Sequence, residues 1–152
     1  MATSYLSRRT ILLGGGLMAC GTAAGWIAYA QTQPSGKTLT VTEAHQAALE
    51  NEIVLIDIRR PDEWARTGIG EGAVPIDMRR EDFIVALDQA TGGERSAPIA
   101  LICARGVRSK YLTARLSEAG YRHVIDVPEG MMGSFSGPGW LKTGLPVTAY
   151  EG

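Results

Sequence analysis

Three stretches of the chain are apolar at nearly every position: Ile53-Val54-Leu55-Ile56-Asp57-Ile58, Pro98-Ile99-Ala100-Leu101-Ile102 and His123-Val124-Ile125-Asp126-Val127. A strand with one wet face alternates apolar and polar residues, whereas continuous aliphatic runs suit strands covered on both faces. The runs therefore predict buried strands, the first of them central. Between them the pattern changes to helical. Thr42 reads as the cap of a short helix through Ala44, Ala47, Ala48 and Leu49. Pro61 suits the first position of a second helix, which Gly68 ends. Ala73-Val74-Pro75-Ile76 reads as a short strand. Residues 79–90, with Phe83, Ile84 and Leu87 on one side, read as a third helix. Leu112, Leu116 and Ala119 place a fourth from Ser109 to a stop at Gly120. Strands and helices alternating at this pace predict an α/β domain with a mostly parallel sheet and helices on both faces.

The first thirty residues break this pattern. They hold Arg8 and Arg9, no acid, and an apolar Gly/Ala-rich run ending in Ala28-Tyr29-Ala30. Ser7-Arg8-Arg9-Thr10-Ile11-Leu12-Leu13 resembles a bacterial twin-arginine export signal with a small-x-small cleavage pattern. Residues 1–30 are thus expected to be a signal peptide, 31–38 a polar linker and 39–150 the domain, exported to the periplasm. Two other readings stay open: an uncleaved membrane anchor, and a lipid on Cys20 in Leu17-Met18-Ala19-Cys20.

Cleavage would lower the formal net charge from -1 to -3 and leave Cys103 as the sole cysteine. No basic field for nucleic acid remains. One cysteine permits no internal disulfide, and with two distant histidines it supplies no metal-ligand spacing. No cofactor or metal is expected.

Cys103 ends the second buried run and precedes a helix. Open α/β sheets place their sites at the carboxyl ends of strands. If Cys103-Ala104-Arg105-Gly106-Val107-Arg108 wraps as a loop, its amides and the following helix N-terminus converge on the sulfur. Gly106 frees the backbone for that wrap. With Arg105 and Arg108 nearby, these are conditions under which a thiol ionises without a base. His45, on a surface helix, and His123, at the start of a strand, are not expected to act as one. The bland alternative for Cys103 is a buried structural thiol.

The chain resembles the rhodanese family in three stretches. They are Leu55-Ile56-Asp57-Ile58-Arg59-Arg60-Pro61-Asp62-Glu63-Trp64, the Cys-x-x-Gly-x-Arg-Ser loop of residues 103–109, and Gly139-Trp140-Leu141-Lys142-Thr143-Gly144-Leu145-Pro146-Val147. The resemblance implies a rhodanese-like fold and a sulfurtransferase working through a Cys103 persulfide. Sulfur would pass from a donor such as thiosulfate to cyanide or a thiol, with a redox protein as a candidate partner. It implies that Arg105, Gly106, Val107, Arg108 and Ser109 bind the donor and that Asp57 and Arg59 support the loop. Thr67-Gly68-Ile69-Gly70-Glu71-Gly72-Ala73 departs from the family's Gly-His-Ile-x-Gly-Ala. Residues 129–138 run longer than its usual connection, either as a plain surface loop or as a lid in which Met131, Met132 and Phe135 shape acceptor choice.

Two rival functions share the loop chemistry. A carrier module would take sulfur from a partner without turning over. A Cys-dependent phosphatase or arsenate reductase places its arginine six residues after the cysteine, where this chain has Ser109.

Overall fold

The computed structural model describes residues 37–152. The signal, anchor and Cys20 readings lie outside the described residues. In chain order the elements are α1 (Val41–Leu49), β1 (Val54–Asp57), α2 (Pro61–Thr67), β2 (Ile69–Gly70), β3 (Ala73–Pro75), α3 (Phe83–Ala90), β4 (Ile99–Ile102), α4 (Val107–Glu118), β5 (Val124–Val127), α5 (Trp140–Thr143) and β6 (Val147–Thr148).

All three apolar runs form strands. With β3 they make a wholly parallel sheet of order β3-β1-β4-β5, so the first run is indeed internal. The outer edge of β5 is covered by the chain at Thr38, through Leu39 N–H to the Asp126 carbonyl and Asp126 N–H to the Lys37 carbonyl, both 3.0 Å. This protects an otherwise open strand edge. β2 and β6 form a separate antiparallel ribbon.

Alternation along each strand divides the core into two layers. Leu55, Ala100, Ile102, Ile125 and Val127 face α1 and Trp140 of α5. Ile56, Ile99, Leu101, Cys103 and Val124 join Phe83 and Leu87 of α3 and Leu116 of α4. Helices therefore cover both sheet faces, as expected of an α/β domain with a parallel sheet. Among the described residues no helix is long and apolar enough to cross a membrane.

The helix starts differ from the sequence reading for local reasons. α1 is capped by Thr40, not Thr42. The Thr40 hydroxyl accepts the Glu43 N–H at 3.2 Å and Glu43 accepts the Thr40 N–H at 2.8 Å. Val41, Ala44 and Ala47 are its buried positions, so the helix has to begin by Val41. α3 starts at Phe83, not at 79. The Asp77 carboxylate takes the Arg79 N–H and guanidinium, and Arg80 pairs with Asp82, bonds that compete with helical ones. Ile84 is exposed. α4 begins at Val107, before Ser109, because Gly106 supplies the left-handed residue ahead of it.

Candidate functional site

The strand order reverses direction at β1: one connection leads to β3 and the next crosses back to β4. Such a switch opens a crevice at the carboxyl ends of the two strands. Cys103 immediately follows β4 there, beside Asp57, the last residue of β1, which pairs with Ile102.

Residues 103–106 turn tightly into α4. The Gly106 N–H points at Cys103 Sγ, 3.2 Å away. Gly106 has φ of 80°, and a Cβ built there would collide with the Pro128 carbonyl, so both backbone conformation and space demand glycine. The Ser109 hydroxyl lies 3.6 Å from Sγ and donates to the Gly106 carbonyl at 3.1 Å. Cys103 is 1% exposed and Ser109 is fully buried, so Ser109 braces the loop from inside. Val107, by contrast, is exposed at the first turn of α4.

The two loop arginines part company. Arg105 is exposed, forms no ion pair among the described residues, and lines the cavities beside the loop. Arg108 turns instead to Glu63 at the start of α2, with Nη1–Oε2 at 2.8 Å and Nη2–Oε1 at 2.7 Å. The two guanidiniums thus differ in their partners, because the fold brings a carboxylate 45 positions away against Arg108. The acidic start of α2 is visible in the sequence; its partner is not.

The Arg108 guanidinium holds the Glu63 carboxyl below its ordinary value. A carboxyl lowered on folding contributes stability above its unfolded pKa, and that contribution is lost as pH falls through the folded value. Glu63→Gln is therefore expected to flatten the loss of stability as pH falls below the ordinary carboxylate range, measured by urea melts at a series of acid pH values.

Asp57 and Arg59 form a buried pair beneath the site. The carboxylate takes Arg59 Nε at 2.9 Å and Nη2 at 2.7 Å. The guanidinium also donates to Thr67 Oγ1 at 2.8 Å and the Gly68 carbonyl at 2.7 Å. Arg59 thereby fastens the end of α2 to the end of β1. Gly70, in the departing stretch, fits against the Trp140 ring, where a Cβ would come within 2.8 Å.

The 129–138 segment divides into anchors and exposed side chains. Met131 N–H bonds the Cys103 carbonyl and Met132 N–H the Ala104 carbonyl, both at 2.8 Å. Met131 is wholly buried in the core, which corrects its reading as a lid residue; Met132 and Phe135 are exposed. Buried Glu129, missed in the sequence, accepts the Val41 and Gly139 N–H groups, each at 3.1 Å. Its two bonds run to distant segments, so no local pattern marks it.

The histidines stand apart from Cys103. His45 is half-buried, not on the surface: it bonds Glu71 at 2.9 Å and meets Trp140 edge-on, on the opposite sheet face. His123 precedes β5 at the amino end of the sheet.

A rhodanese-like domain model matches residues 40–134. A sulfurtransferase of Allochromatium vinosum is 26% identical over 101 residues, covering 66% of this chain and 83% of that protein. A tRNA uridine(34) hydroxylase of Chlamydia muridarum is 27% identical over 104 residues, and the matched part covers only 31% of its length. The polysulfide-sulfur transferase homodimer of Wolinella succinogenes superposes with a TM-score of 0.59 at 24% identity, over 84% of this chain and 87% of that one, a likeness of fold. The chain belongs to the rhodanese-like domain family.

Proposed function

We propose that the protein is a sulfurtransferase in which Cys103 carries sulfane sulfur as a persulfide between a donor such as thiosulfate and a thiol or cyanide acceptor. The observation that carries this reading is the loop itself. The Gly106 amide is directed at the sulfur, and the turn is closed six residues after the cysteine by the buried Ser109 hydroxyl. A phosphatase-type loop would need an arginine at that sixth position, and the guanidinium one residue earlier is occupied by Glu63.

In the first step the Cys103 thiolate attacks the sulfane sulfur of thiosulfate. The donor's S–S bond breaks and sulfite leaves with the electron pair. In the second step the acceptor thiolate, or cyanide, attacks the outer sulfur of the persulfide; the Cys103 thiolate departs and an acceptor persulfide, or thiocyanate, is released. The Gly106 amide and the N-terminus of α4 stabilise negative charge on the sulfur in both steps. Arg105 attracts the dianionic donor. The Ser7-Arg8-Arg9 segment supports placing this transfer in the periplasm.

The test is intact mass spectrometry of the domain after thiosulfate treatment, paired with assays on thiosulfate plus cyanide and on an aryl phosphate. A gain of one sulfur atom and release of thiocyanate are expected. No gain from the small molecule would point to a carrier fed by a protein partner, and phosphate release without thiocyanate would overturn the reading.

A further inference from the structure

We propose that the cavity beside the Cys103 loop is an acceptor subsite for a small thiol carrying both an ammonium and a carboxylate, with Asp126 receiving the ammonium. This rests on the sulfur-transfer reading and names the acceptor class for it.

Asp126 interrupts the apolar run of β5. Its neighbours Ile125 and Val127 point into the layer under α1, so strand alternation sends Asp126 to the α4 side. The residue is 6% exposed, and its Oδ1 has no hydrogen-bond partner among the described residues. A buried, incompletely bonded carboxylate is costly to a fold, and such groups in clefts mark functional sites. Burial pushes the Asp126 carboxyl up, against the opposing pull of the Ser109 hydroxyl and the Lys110 ammonium. Lys110 nonetheless forms no ion pair with it.

Asp126 lines a cavity of about 700 Å³ together with Lys110, Arg105, Gly106, Val107 and Phe135. Gly106 is the residue whose amide faces Cys103 Sγ, so an occupant lies against the nucleophile's own loop. The charges are mixed: two buried carboxylates, of which Glu129 already accepts the Val41 and Gly139 N–H groups while Asp126 keeps an unpartnered oxygen, and two cations without carboxylate partners within ion-pair distance among the described residues. A purely cationic ligand would be repelled by Arg105 and Lys110, and a purely anionic one by Asp126. A zwitterion satisfies both, its carbon skeleton against Val107 and Phe135. Thiols of amino-acid type have this charge pattern.

The test compares three acceptors on the persulfidated protein, with concentrations expressed as thiolate: L-cysteine, 3-mercaptopropionate, which lacks the ammonium, and cysteamine, which lacks the carboxylate. Cysteine is expected to show a KM about tenfold or more below the other two. Asp126→Asn should raise the KM for cysteine and cysteamine by about tenfold and lower that for 3-mercaptopropionate, which the removed carboxylate repels, acting on KM more than on kcat. Because it removes an incompletely bonded buried carboxylate, the same variant should melt no lower than the parent protein. Equal KM values for the three thiols, or an unchanged cysteine KM in Asp126→Asn, would overturn the proposal.

A second measurement needs no sulfur transfer. S-methyl-L-cysteine, which keeps both charges and has no thiol, should bind Cys103→Ser protein saturably and shift the amide resonances of Val107, Lys110 and Asp126. Absence of saturable binding would overturn the subsite even if Cys103 accepts sulfur. Binding without any persulfide on the wild-type protein would retain the subsite and sink the sulfur-transfer reading instead.

Discussion

Serine at position 103 is expected to abolish sulfur transfer, lowering it on the order of a thousandfold or more, while leaving the domain folded. The two side chains differ by one atom, and the surroundings of that atom are polar on one side: the Gly106 amide and the Ser109 hydroxyl. A serine oxygen can take the Gly106 N–H in place of sulfur. It cannot serve as a low-energy leaving group from sulfane sulfur, nor does its hydroxyl ionise near neutral pH. Chemistry, not packing, is thus what the substitution removes. Thiocyanate formation from thiosulfate and cyanide measures the loss, and an unchanged thermal transition shows that the fold remains. Retained transfer in Cys103→Ser would overturn both the enzyme and the carrier readings.

The largest effect on stability is expected at Arg59. Its side chain is 1% exposed and that of Asp57 is fully buried. Arg59→Ala leaves the Asp57 carboxylate buried without its partner, and it also strips the donors from Thr67 Oγ1 and the Gly68 carbonyl. Breaking a buried ion pair from one side costs about 3–5 kcal/mol. For a domain of this size that lowers the melting temperature by roughly 10 °C or more. Removing both charges, as in Asp57→Asn with Arg59→Met, should cost less than Arg59→Ala alone, because no uncompensated charge is left inside. Urea denaturation of the single and double variants checks both statements. A small loss in Arg59→Ala would show that the pair orients the end of α2 without supporting the fold.

The two predictions act on different links between sequence and function. The first removes the thiol on which the proposed transfer depends. Arg59 holds α2 to β1, and α2 in turn presents Glu63 to Arg108 across the mouth of the loop. A change at Arg59 should therefore reach the site through the position of α2. Residual activity per folded molecule at low temperature would then fall less than stability does.

Much of the architecture was legible along the chain because the deciding physics is local in sequence. Continuous aliphatic runs mark strands covered on both faces, and all three proved to be parallel strands. Pro61 opened α2 and Gly68 closed it, since proline lacks the N–H that a first turn does not use and glycine tolerates the positive φ at the end. The loop at Cys103 was likewise readable, because the tight turn needs its glycine within three residues of the sulfur.

What required the folded chain was the pairing of distant polar groups. Nothing near Arg108 in the sequence shows that Glu63 binds it, and without that contact both loop arginines look equally free. Met131 and Met132 are chemically alike and adjacent, yet one is buried in the core and the other is exposed, because only the first faces the α1 layer. Asp126 read as one polar residue in a buried run. Its unpartnered oxygen, and the cavity that the residue helps to line, exist only once β5, α4 and residues 105–107 are packed together. The main strands and helices, the parallel class and the cysteine-bearing turn could be read along the chain, because periodicity and turn chemistry act over a few residues. Which charges are paired and which are buried followed from packing, because burial and Coulomb energy depend on distance in space and not along the chain.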